Sequence, residues 1–183
     1  MDHDSRPDAD PRDPATAPGP EIVVRTPPAG PTAATPRHWF AGRAFETHFF
    51  NALSSTFPEG ERFFIASVRH FAPRIGDASL QAQVKAFVGQ EGRHGREHDA
   101  HMDLLVAQGF GGLASANGIL RRVTRFAVRR LPRFSLAVTI AIEHVTAVFA
   151  RHLLSDPECW LGPMHPDMRS LWHWHAIEET EHK

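Results

Sequence analysis

This chain is poor in cysteine and in long apolar runs, and it has no excess of charge of either sign. Its single cysteine, Cys159, cannot close an internal disulfide, which favours a reducing compartment. Twenty basic against 21 acidic side chains give no global electrostatic reason to expect a nucleic-acid partner. The first thirty residues alternate Asp, Pro and Ala with no apolar h-region, so no secretory signal is visible. The longest apolar stretch, Leu136–Ala150, is interrupted by Glu143 and His144 and is short for a bilayer. No internal repeat stands out. The expectation is a soluble, cytoplasmic protein with one domain, for which 183 residues suffice.

Proline is abundant but confined. Nine of the fifteen prolines precede residue 37, so residues 1–37 read as a disordered leader and residues 38–183 as the folded domain. Within the leader, Glu21–Thr26 (EIVVRT) is apolar enough to lie extended against that domain. From Trp39 to Ile75 a helical pattern is broken at Phe57-Pro58-Glu59-Gly60, which puts Glu61 in the first turn of the next helix. Asp77 or Ser79 caps a helix running to about Gln108 and stopped by Gly109. Gly111–Gly118 reads as a loop, followed by an Arg-rich helix over Ile119–Leu131. A mostly apolar helix then spans Phe134 to about Leu154, and a last one starts near Pro166-Asp167. The reading is all-α.

Four of these helices carry carboxylates and imidazoles in a particular order. Glu61 is followed by Glu91-x-x-His94, then Glu143, then Glu179-x-x-His182, the glutamates lying 30, 52 and 36 residues apart. Residues i and i+3 share a helix face, so each Glu-x-x-His pair can grip one ion while the other two glutamates bridge or cap. This is the inward-facing ligand set of di-iron and di-manganese carboxylate bundles. Carboxylate and imidazole donors suit iron first and manganese second, rather than structural zinc. Two Glu-x-x-His pairs alone are a weak signal in a chain this rich in both residues. The order of four segments, each with its ligand on the apolar side, is stronger. Glu143 is the clearest, because Ser135–Val148 offers no other acid and an unpaired buried carboxylate is costly. Pairing of Glu143 with an arginine or with His144 would account for it without a metal.

Around this set stand further candidates. His175 precedes Glu179 by four residues on one face and could be a third imidazole ligand. His98, one turn after His94, reads as a residue that orients a ligand. Glu178 competes with Glu179, since both project within one arc. His144, His101 and His173 read as packing or surface residues, and Trp39, Trp172 and Trp174 as core. Gly89, Gly92 and Gly95 allow either close approach around the metals or merely a tight helix crossing. The arginines of Arg121–Arg133 interleave with apolar residues. That pattern suits a solvated face, an anionic membrane surface, or a contact with a partner such as a second copy in a homodimer.

Several stretches resemble a known family. They are Thr47–Ser54 (THFFNALS), Phe57–Phe64 (FPEGERFF), Gly89-Gln90-Glu91 with His94 and Arg96-Glu97-His98, Ile142–Ala147 (IEHVTA) and Leu171–Glu179 (LWHWHAIEE). Together they resemble the bacterial family named "predicted metal-dependent hydrolase" over roughly residues 22–183. The resemblance implies a ferritin-like four-helix metal protein. It also implies a longer chain than this one, so that residues 38–183 would be a C-terminally shortened form of the domain. His175-x-x-x-Glu179-x-x-His182 resembles the last ligand helix of the di-iron arylamine N-oxygenases. Carried over residue by residue, this implies Glu61, Glu91, His94, Glu143, His175, Glu179 and His182 as ligands.

Three functions are compatible with that reading. The first is oxygen-dependent oxidation of a small organic substrate at a di-iron site. The second is hydrolysis by a metal-activated water, for which Glu97 and Glu178 are the nearby candidate bases. The third is a non-catalytic metal- or partner-binding bundle.

Overall fold

The computed structural model describes residues 21–182, most of which lie in six helices. These are α1 (Ala44–Phe71), α2 (Ala78–Ala107), α3 (Gly112–Arg130), α4 (Pro132–Ser155), the single turn α5 (Pro157–Trp160) and α6 (Pro166–Glu179). Among the described residues the fold is all-α, as the periodicity implied. Of the leader assigned to residues 1–37, residues 1–20 lie outside the described residues.

Two local expectations are corrected. α1 does not break at Phe57-Pro58-Glu59-Gly60 but runs through Pro58, so Glu61 sits deep in the helix rather than in a first turn. A proline inside a helix deprives the carbonyl four residues back, here that of Ser54, of its donor, at a cost of about 3 kcal/mol. Phe50, Ser54, Pro58, Glu61 and Phe64 are all buried along α1, which packs on α2, α3 and α4. That burial outweighs the local preference. Nor is Gly111–Gly118 a loop: α3 already begins at Gly112, where Leu113, Ala114 and Ala116 are good helix formers.

Elsewhere the signals hold. The Asp77 carboxylate caps α2 by accepting the Leu80 N–H at 2.6 Å. Gly109 ends it with φ 101°, in the left-handed region that glycine enters freely. Pro132 and Pro166 occupy first turns of α4 and α6.

The apolar core lies toward one end, where Trp39, Phe40, Phe50, Leu153, Met168, Leu171 and Trp172 pack together. The other end of the α1–α2–α4–α6 bundle is polar inside. α4 is long and apolar enough to cross a membrane by length and mean hydropathy alone. Here it packs on α1 and α6 and turns Glu143 inward. α3 buries none of its residues. It leaves Ile119, Val123 and Phe126 exposed among the arginines, in a stretch with no acid between Asp103 and Glu143.

Residues 21–37 carry no helix, yet they are fastened to the bundle. The Val23 N–H donates to Glu181 at 2.8 Å and the Arg25 N–H to Glu178 at 2.6 Å. Arg25 also donates to Glu181 through its guanidinium at 2.6 Å. Thr35, buried, donates to Asp167 at the start of α6. The segment is a strap across α2 and α6. Phe40 and Met164 then form an isolated β-bridge.

Candidate metal centre

The polar end of the bundle gathers all seven residues singled out by spacing and resemblance. Glu61 from α1, His94 from α2 and His175 from α6 bring one ligand atom each to within 4.8 Å of one another. Glu91 from α2, Glu143 from α4, Glu179 from α6 and His182 just beyond α6 do the same. All seven are buried. His182 is not on the last helix, which ends at Glu179. A turn over Thr180 and Glu181 follows, with the His182 N–H donating to the Glu179 carbonyl at 3.3 Å.

Each imidazole uses one nitrogen outward and aims the other into the cluster. His94 Nε2 lies 2.9 Å from Glu178, and its Nδ1 lies 3.4 Å from Glu91 and 3.5 Å from Glu179. His182 Nε2–H donates to the side-chain carbonyl of Gln90 at 2.8 Å, and Nδ1 faces Glu143 at 2.8 Å. His175 Nδ1 meets His98 Nε2 at 2.7 Å, while its Nε2 faces Glu179 at 3.0 Å. An outward N–H fixes the tautomer and leaves a lone pair pointing inward, the arrangement found around metal-ligating histidines.

The contact with His98 continues into the bundle. His98 Nδ1 and His101 Nδ1 flank the Ser54 hydroxyl at 2.7 and 2.6 Å. If His175 offers Nε2 inward, its Nδ1–H donates to His98. His98 then donates to Ser54, which donates to His101. The chain ends at His101 Nε2, buried and without a partner.

Whether the residues fit a metal is decided by the atoms left over. Both carboxylate oxygens of Glu61 and of Glu91 are buried without a hydrogen-bond partner, as are one oxygen each of Glu143 and Glu179 and the Nδ1 of His94. Orphaned buried carboxylates are expensive. Four of them converging between three imidazoles form a donor set that a divalent cation satisfies. The residues fit.

The chain belongs to the family described as predicted metal-dependent hydrolases. The family model matches residues 24–183, nearly the whole described chain. No curated protein and no solved structure matches it.

In this metal-dependent hydrolase family member the cluster is electrostatically unbalanced. Burial raises the Glu61 carboxyl well above its ordinary range, and the charge of Glu91 raises it further. Burial likewise raises Glu91, and it takes Glu143 up to about 8. Burial pushes Glu179 the same way, but the hydrogen bond from His175 and the nearby imidazoles of His182 and His94 outweigh it and hold Glu179 well below. His182 reaches about 10, its bond to Glu143 and the contact with Glu179 overcoming desolvation. Glu178 and its neighbours raise His94 in the same way. Burial takes His175 down to about 4. Protons are thus held where the ligand geometry asks for cations.

The remaining candidates fall outside the two groups. Glu178 is fully buried, accepting from Arg25 and facing His94. His98 orients His175, whereas His144 and His173 are exposed and His101 is buried. Glu97 belongs to neither group. Gly95 leaves room for the Glu61 carboxylate, since an added Cβ would lie 3.1 Å from its Oε2. Gly89 receives Val24 of the strap at 3.3 Å, and Gly92 is not tightly approached. Sequence reading missed Gln90 as a partner of His182, Arg25 as a partner of Glu178 and Glu181, and Ser54. The signals were the apolar EIVVRT stretch for Arg25 and, for Gln90 and Ser54, their place within the family-like stretches.

Proposed function

We propose that the seven residues hold two metal ions, iron in preference to manganese, and that the centre carries out oxygen-dependent oxidation of a small organic substrate. The observation that carries the reading is the set of orphaned buried oxygens and Nδ1 within two separate ligand groups. When bound, a pair of redox-active ions would supply the electrons for reduction of O2. Glu61, His94 and His175 would hold one ion, and Glu91, Glu143, Glu179 and His182 the other. Glu178, His98 and Gln90 keep the three imidazoles in the tautomers that ligation needs. The apolar core on one side and the strap on the other limit the access of water to the cluster.

Hydrolysis is the second reading, and the family description favours it. It needs a base free of the metals. Glu178 is engaged by His94 and Arg25, and Glu97 stands beside Gly30 of the strap. That supports oxidation over hydrolysis.

The test is metal content per chain after expression with iron and manganese supplied. About two equivalents are expected, with loss of metal in Glu143→Ala. Oxygen consumption by the reduced protein then favours oxidation, while esterase or phosphatase activity without oxygen favours hydrolysis. A folded protein that takes up no metal overturns both.

A further inference from the structure

The two ligand groups are not equally sealed. Glu61, His94 and His175 are at most 4% exposed, whereas Glu143 and His182 of the other group reach 8% and 7%, the most open of the seven. Those two residues line a cavity of about 410 Å³ between the start of α2, the first half of α4 and the strap. Its walls include Ile22, Val84, Phe87, Leu136 and Ile140. Thr139, also in the wall, has its hydroxyl tied to Ser67 at 2.7 Å. Phe87 packs edge-on to the His182 ring at 4.9 Å. Exposed Leu80 and Ile140 extend the apolar surface outward.

Outside the two candidate ligands, the lining offers no free carboxylate, lysine or arginine. Glu181 is the one acid there besides Glu143, and no lysine or arginine is among the described lining residues. Arg25 nearby is engaged by Glu181. Beyond the ligand set, a buried ion of either sign would find no free counter-charge, a costly arrangement. The volume lies within the ordinary range for small-molecule sites.

We propose that this cavity is the substrate site of the dinuclear centre, and that it takes an uncharged, mainly hydrocarbon molecule with at most one polar group. The inference rests on the dinuclear reading for the word substrate. The molecule lies between the apolar walls, with its polar group against Glu143 and His182. Gln83 and His144 are the other polar side chains available to it.

The experiment is calorimetric titration of the full chain, apo and metal-loaded, with 1-octanol, octanoate and octylamine. Octanol is expected to bind at least ~10-fold more tightly than either charged analogue, as the cost of burying an unpaired charge dictates. Val84→Trp and Leu136→Trp add bulk to the cavity wall at positions outside the candidate ligand set. Either variant, with native helicity and unchanged metal content, should lose octanol binding. In protein loaded with cobalt(II), octanol should shift the visible absorption, because the cavity floor is Glu143 and His182. Octanoate or octylamine binding as tightly as octanol overturns the assignment of class. Octanol binding undiminished in a folded tryptophan variant, or binding that leaves the cobalt spectrum unchanged, overturns the location. Metal uptake is read separately. Octanol binding that Val84→Trp abolishes, in a protein that takes up no metal, sinks the dinuclear centre and upholds the cavity's ligand class.

Discussion

At Gly95 the absence of one methyl group leaves space for a carboxylate. A Cβ there would press on Glu61 Oε2 at 3.1 Å, although alanine is favoured over glycine inside a helix by about 1 kcal/mol. Gly95→Ala should therefore keep or slightly raise the melting temperature of the metal-free protein. Metal affinity should fall ~10-fold or more, as when a ligand's support is disturbed. Thermal unfolding and metal titration of the same variant check the two signs together. The sequence showed Gly89, Gly92 and Gly95 alike, and nothing local distinguished them. Only the third faces Glu61, while the first makes room for Val24. Glu143 was legible because a lone acid in an apolar helix needs a reason wherever it packs. Gln90 was not, because its importance depends on Val23, Glu181 and His182, which are far from it in sequence.

Among the elements, the strap and the turn after α6 hold each other. Glu181 accepts from the Val23 N–H, from Arg25 and from Gln90, and Gln90 in turn accepts from His182. Glu181→Ala removes all three bonds without touching a candidate ligand. The expected outcome is native helicity by circular dichroism with less than the wild-type metal content, the loss falling on the group that contains His182. Unchanged metal content would separate the strap from the site. Helix ends such as Asp77 and Gly109 were readable because caps act within a few residues. α1 running through Pro58 was not, because contacts with three other helices override a local rule.

For the whole molecule, stripping the metal should make stability depend on pH in one direction above neutrality. His182 goes from its ordinary 6.5 up to about 10, and Glu143 from 4.5 up to about 8. Each keeps a proton in the folded state that the unfolded chain has released. Stability therefore falls as pH rises, over 6.5–10 for the first and 4.5–8 for the second. His175 and His101, both taken down to about 4, act in the opposite sense, but only below 6.5. The metal-free protein should melt at a progressively lower temperature from pH 7 to pH 9. The loaded protein should not follow it, because bound cations keep these ligands deprotonated at both ends of that range. By the same linkage, metal uptake near pH 7 should release protons and tighten as pH rises. Calorimetry in buffers of different ionisation enthalpy reads that directly.

The strap also sets an order of events. Its bonds to Glu181 and Glu178 join residues 158 and 153 positions apart, whereas α1 and α2 are neighbours in the chain and pack extensively. Contacts that close so long a loop form late, after the local helical hairpin has paid part of the entropy. On a ribosome, Glu61, Glu91 and His94 emerge and can fold against each other long before Glu179 and His182 appear. The half-built site is then an open bowl of carboxylates, free to sample whatever cation is present. If the cluster holds metal as proposed, docking of the strap on Glu178 and Glu181 is the step that ends that sampling.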